Sequence, residues 1–142
     1  MSNSYLQIVS YIKTQSRNKI VIHQMDIPDL KSLNTGEVLA QEIQNISNKK
    51  HLSLKVKSKL NDILSNAITN NDLYGKILSI KNIGILFEPD LKLDFFALID
   101  NYSKNNTLFI QWDGEIENNK LFFLSKSIGI EINIKNLSHI VL

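Results

Sequence analysis

The chain has 142 residues, 43% of them hydrophobic and 21% charged, with a formal net charge of +2. That is about one domain's worth of sequence, enough to bury a core without covalent staples, so a single domain over 1–142 is expected. With no cysteine, disulfides, thiolate metal sites and cysteine nucleophiles are excluded. Met1-Ser2-Asn3-Ser4 has neither the basic nor the apolar segment of a leader, and no apolar run approaches the roughly 20 residues of a membrane span. A cytoplasmic protein with no membrane partner is the expectation.

In chain order, Ser4-x-x-Gln7 fits a capping box, and Tyr5, Ile8, Val9 and Ile12 follow the i, i+3, i+4, i+7 rule, predicting a helix over 5–16. Lys19–His23 reads as a short buried strand, and 26–33, with Pro28 and two acids, as a connection. Thr35 is the predicted cap of a helix over 36–47. Val56, Leu60, Ile63, Leu64 and Ala67 form the clearest helical stripe, with Lys55, Lys57 and Lys59 off it. Asn70-Asn71-Asp72 reads as a turn and Lys76–Ile80 as a strand, with Ile83–Phe87 continuing apolar until Pro89. Asp94 is the predicted cap of a helix over 95–104, and Thr107–Trp112 is apolar enough for a central strand. Short β-prone stretches follow at 120–124, 129–134 and 138–142, with Asp113-Gly114 and Asn118-Asn119 as turn signals. Strands separated by helices predict an α/β fold, a mainly parallel sheet with helical cover and a strand-rich C-terminal tail.

Charge is unevenly placed. Residues 1–71 carry nine Lys/Arg against five Asp/Glu, and 72–142 carry seven against nine. Lys49, Lys50, Lys55, Lys57 and Lys59 are the densest cationic group, a candidate patch for phosphate or an acidic partner and equally readable as a solvated helix face. Arg17 is the sole arginine, which disfavours base-specific DNA reading. Weak, sequence-blind DNA binding stays open.

Tests for chemistry return little. Gly75-Lys76 is the only Gly-Lys pair, and Ile77 follows it, so no phosphate loop is formed. His23, His51 and His139 are widely spaced and read as structural or surface histidines. Glu88, Asp90 and Asp94, or Asp113, Glu115 and Glu117, could bind Mg²⁺. Asp72 with Asp90-x-Lys92 parodies a metal-nuclease pattern, but Pro89 disfavours the strand that pattern needs. Helix-capping acids and a solvated hairpin are the plainer readings, and Trp112 reads as a core anchor. No catalytic, cofactor or metal residue is assigned.

The run Asn82-Ile83-Gly84-Ile85-Leu86-Phe87-Glu88-Pro89-Asp90-Leu91-Lys92-Leu93-Asp94, continuing through Ser103-Lys104-Asn105-Asn106-Thr107 to Trp112-Asp113-Gly114, resembles BrxF, the small P-loop-containing protein of some BREX bacteriophage-defence systems. Asn82, Phe87, Pro89, Lys92, Asp94, Asn105, Thr107, Trp112 and Gly114 are the positions that carry it. The resemblance implies a P-loop-NTPase-like fold in which Lys76–Ile80 is the Walker B strand. Its acid is then replaced by Lys81, and Gly84 stands where another acid is common. Strand 19–23 runs into His23-Gln24-Met25-Asp26 without a phosphate loop. The fold is therefore expected to be degenerate, with no nucleotide cofactor. The function implied is a non-catalytic accessory subunit docking on other defence proteins: a large ATPase, a methyltransferase or a phosphatase-like component. A nucleic-acid-binding or metal-dependent nucleic-acid-processing component is the alternative, and a phage-encoded or immunity-type mimic a third.

Overall fold

The structure is a computed structural model that describes residues 3–46, 48–123 and 130–142. Its centre is a parallel sheet. Ile20–His23 forms β1, buried at all four positions, and pairs in parallel with β5 (Thr107–Gln111) on one side and β9 (Ile140–Val141) on the other. Burial on both faces is why these strands read as continuous apolar runs rather than alternating ones. β5 pairs in parallel with β4 (Gly75–Lys81), giving the order β2-β4-β5-β1-β9. The outer edge of β4 is shared. β3 (Thr69–Asn71) runs antiparallel along its first half and β2 (Leu33–Asn34) parallel along its second.

Successive side chains of a strand point to opposite faces, and the two faces are covered differently. Ile20, Ile22, Leu78, Ile80, Leu108 and Ile110 meet helices α2 (Thr35–Gln44), α3 (Leu52–Ala67) and α4 (Phe95–Tyr102) in a large apolar cluster. A small antiparallel sheet, β6 (Glu115–Glu117), β7 (Lys120–Phe123) and β8 (Ile130–Asn133), joins it through Leu121 and Ile132. Val21, Ile77 and Phe109 on the reverse face meet one helix, α1 (Asn3–Ile12), together with Ile27 and Tyr74. The Tyr11 hydroxyl fastens α1 by accepting from the Ile20 N–H at 2.9 Å and donating to the Asn18 carbonyl at 3.1 Å.

The α/β class, the mainly parallel sheet and the helical cover are as expected. The α3 stripe holds, with Val56, Leu60 and Leu64 buried and Ile63 and Ala67 packed at its margin. Asp94 caps α4, its Oδ1 accepting from the Ala97 N–H at 3.0 Å. Asn118 and Asn119, both at positive φ, make the two-residue turn joining β6 and β7.

Other local expectations are corrected. α1 is already helical at Asn3, so Ser4 is not its cap, and it stops at Ile12, where the Thr14 hydroxyl takes the Tyr11 carbonyl at 2.7 Å. The cap of α2 is Asn34, whose Oδ1 accepts from the Glu37 N–H at 3.1 Å; Thr35 is instead a buried first-turn residue. Asn70 and Asn71 are not a free turn but part of β3, with the reversal displaced to Asp72–Tyr74 by two N–H groups donating to Asn71 Oδ1. Ile83–Phe87 is no strand extension: positive φ at Asn82 turns the chain into a 3₁₀ turn, Gly84–Phe87, and a second follows at Pro89–Leu91. Of the predicted strand residues, Leu124 and Gly129 lie outside the described segments. No helix among the described residues is long and apolar enough to cross a membrane.

Candidate functional site

In open α/β sheets, ligands gather at the carboxyl ends of the strands where the direction of winding reverses. Here that point is β1. The chain leaves it toward β2 at one border, and β9 is added on its other side. No helix follows β1. Residues 24–32 instead cross the thinly covered face as an irregular segment tied to the sheet at several points. Gln111 Nε2 donates to Asp26 Oδ1 at 2.9 Å, Asn71 Nδ2 to the Asp29 carbonyl at 3.0 Å, and the Ser32 and Ser79 hydroxyls lie 2.7 Å apart.

Between this crossing and the start of α1 is a cavity of about 570 Å³, whose walls include Tyr5, His23, Met25, Asp26, Asp29 and Tyr74. His23 is 2% exposed and stands edge-on to Phe109. Its Nδ1 is 2.7 Å from the Met25 carbonyl, an acceptor, so Nδ1 carries the hydrogen and Nε2 is left as an acceptor. Nε2 is buried without a partner among the described residues. Burial holds the His23 pKa below its ordinary value, with the Met25 carbonyl and Asp26 pulling the other way. Burial, then Tyr5 and Asp29, raise the pKa of Tyr74, whose ring lies 6.0 Å from that of Tyr5. From sequence the histidine reads as structural or surface. The available signal was a polar residue closing an otherwise apolar strand, with Asp26 and Asp29 just beyond it.

A smaller cavity, about 260 Å³, opens at the ends of β4 and β5 and is bordered by Asn82, Gly84, Trp112, Gly114 and Phe123. Much of the sequence motif converges beside it and is used for packing. Asn82 donates from Nδ2 to Asn34 Oδ1 at 2.8 Å, joining the ends of β4 and β2. Phe87 lies against Phe95, Trp112 and Phe123, at ring distances of 4.9, 5.9 and 5.0 Å. Trp112 is 2% exposed and donates from Nε1 to the Glu115 carbonyl. A Cβ at Gly114 would lie 2.1 Å from the Phe122 carbonyl oxygen, so only glycine fits. At Gly84 a Cβ would reach 3.0 Å from the Phe123 ring: where the resemblance calls for an acid, the chain makes an apolar contact. Pro89 opens the second 3₁₀ turn, Lys92 closes it at φ 52°, Asp94 caps α4 and Thr107 starts β5. Asn105 is exposed, while its neighbour Asn106 is buried and donates to the Tyr102 carbonyl at 2.7 Å.

The five lysines do not form one face. Lys49 Nζ donates to the Ile43 carbonyl near the end of α2, and Lys55 Nζ to the Asn48 carbonyl, both at 2.7 Å. Lys59 lies 3.8 Å from Glu42, Lys57 sits about half a turn of helix away from Lys55 and Lys59, and Lys50 precedes α3. A cation on a helix-end carbonyl, as Lys49 on Ile43, is an ordinary structural partner. The acids are dispersed as well. Asp72 precedes β4 and Asp90 follows it, about 20 Å of strand apart. Among the described residues no three His, Asp or Glu side chains converge on a point that could hold a metal ion. No family model matches the sequence, and no curated protein or solved structure is similar enough to it to show a relationship.

Proposed function

We propose that this chain is a non-catalytic accessory subunit of a prokaryotic anti-phage defence system of the BREX type, built on a P-loop-like sheet that has no phosphate loop. The observation that carries the reading is the path taken after β1. A nucleotide's phosphates are held at a helix N-terminus by backbone N–H groups and the helix dipole. Here the chain leaves β1 through a glycine-free crossing with no helix, in which Asp26 and Asp29 stand against the single Lys31, so the net local charge disfavours an anion. Lys81 at the end of β4 and the apolar contact of Gly84 lack the carboxylate a Mg²⁺ ion would need there. The resembling residues, by contrast, maintain the aromatic packing at the sheet end. A scaffold preserved around an absent site fits docking better than turnover.

Affinity purification from the native host tests the reading. Recovery of a large ATPase, a methyltransferase or a phosphatase-like protein at constant stoichiometry is the expected result. Micromolar binding of ATP–Mg²⁺, abolished by Lys76→Ala or Asp90→Ala, would sink it.

A further inference from the structure

We infer that the cavity between the start of α1 and the crossing after β1 binds a small organic cation, an amine carried on a flat apolar body. Its volume, about 570 Å³, suits a small ligand. Among the described residues its charged side chains are Asp26 and Asp29, with no lysine or arginine in the walls. The N-terminus of α1 contributes a partial positive charge of roughly one half. Two full carboxylates outweigh it, so the cavity favours cations over anions. Asp26 engages the Gln111 amide through Oδ1, leaving a second carboxylate oxygen for a ligand.

The apolar walls set the rest of the ligand. Tyr5 and Tyr74, packed on each other with ring centroids 6.0 Å apart, give the cavity an aromatic wall that suits a flat apolar body. Met25, 82% exposed, and Leu73 form a hydrophobic rim. The neutral imidazole of His23 adds a buried acceptor, Nε2, that lacks a hydrogen-bond donor. That atom is closed off from the cavity, so the imidazole shapes the wall and the carboxylates carry the preference for a cation. The two carboxylates thus call for a donor that is preferably charged. The inference stands apart from the accessory-subunit reading, which co-purification tests.

Three probes with one ring system and different ends separate the possibilities: tryptamine, tryptophol and indole-3-acetate. Each is titrated into the whole chain, labelled with ¹⁵N, while backbone amides are followed. Tryptamine should shift the amides of His23–Asp29 and Tyr74 saturably, with an affinity about tenfold above that of tryptophol. Indole-3-acetate should bind more weakly than either. Asp26→Asn combined with Asp29→Asn should remove the amine's advantage without unfolding the chain. Asparagine keeps an amide oxygen for Gln111 and tolerates the φ of 66° at position 29. Equal affinities for amine and alcohol, preference for the carboxylate, shifts mapping elsewhere, or no binding at all would overturn the proposal. A dispersed spectrum of the double variant shows that any loss is of binding and not of fold.

Discussion

The two faces of the parallel sheet are made by the same strands, yet they do different work. On the face under α2, α3 and α4, the inward residues of β1, β4 and β5 are all Ile or Leu, sealed at the strand ends by Trp112 and Phe87. On the α1 face the alternate positions are Val21 and His23, Ile77 and Ser79, Phe109 and Gln111. The second set turns polar toward the carboxyl ends, where the crossing after β1 and the larger cavity lie. Mass on one side secures the fold. The lightly covered side is then free to carry a buried histidine, a serine and a ligand-sized hollow.

Substitutions graded by face can break this comparison. Trp112→Ala, in the heavily covered face, should lower unfolding free energy by about 3–5 kcal/mol in a urea titration. A loss below about 1 kcal/mol would mean that the aromatic stack at the sheet end is dispensable. Tyr11→Phe removes the hydroxyl that receives the Ile20 N–H, and leaving that buried donor without its partner should cost about 1–3 kcal/mol. Amide exchange should accelerate in α1 ahead of α3 and α4; uniform acceleration would show that the two sides unfold as one. Asp94→Ala, which strips the cap from α4, should cost about 1 kcal/mol and leave exchange in α1 untouched.

The smallest effect is a pH dependence. Folded His23 has its pKa below 6.5, so the unfolded chain takes up the proton first. Stability is therefore full above pH 6.5 and declines as pH falls below it, until folded His23 also protonates. Asp100 acts in the same direction at lower pH. The Asn18 amide, aided by Arg17 and Lys104, holds its carboxyl below the usual carboxylate range, so its contribution fades only at lower pH. Melting temperature followed from pH 8 to 5 should fall in the native chain and stay flatter in His23→Asn, whose amide can replace the Nδ1–H bond. Identical slopes would dissociate the acid response from this face.

What the sequence made legible follows from how local each signal is. The α3 stripe, the Asp94 cap and the Asn118-Asn119 turn are decided by neighbours within a few residues, and each appears as read. β2 and β3 are not legible because strands of two and three residues carry no periodicity; they are strands because β4 offers an unfilled edge. Thr35 lost the cap to Asn34 because its side chain is buried. The motif from Asn82 to Gly114 was visible as a pattern. That its members hold one another, through Asn34–Asn82 and the Phe87 stack, depends on contacts between distant segments that no local pattern encodes. The cavity beside His23 draws on α1, the crossing, β3–β4 and the chain end, segments that no local window brings together.

The division of the β4 border between β3 and β2 bears on how this chain behaves when crowded. An exposed strand edge is a template on which another molecule can add a strand, and long flat edges seed aggregation. Among the described residues, neither border of this sheet offers one. One side is broken into a three-residue and a two-residue strand of opposite direction, and the other ends in the two residues of β9. A second copy would find no continuous ladder on either flank. Lengthening β2 or β9 by apolar residues should therefore promote self-association well before it alters the monomer's own stability.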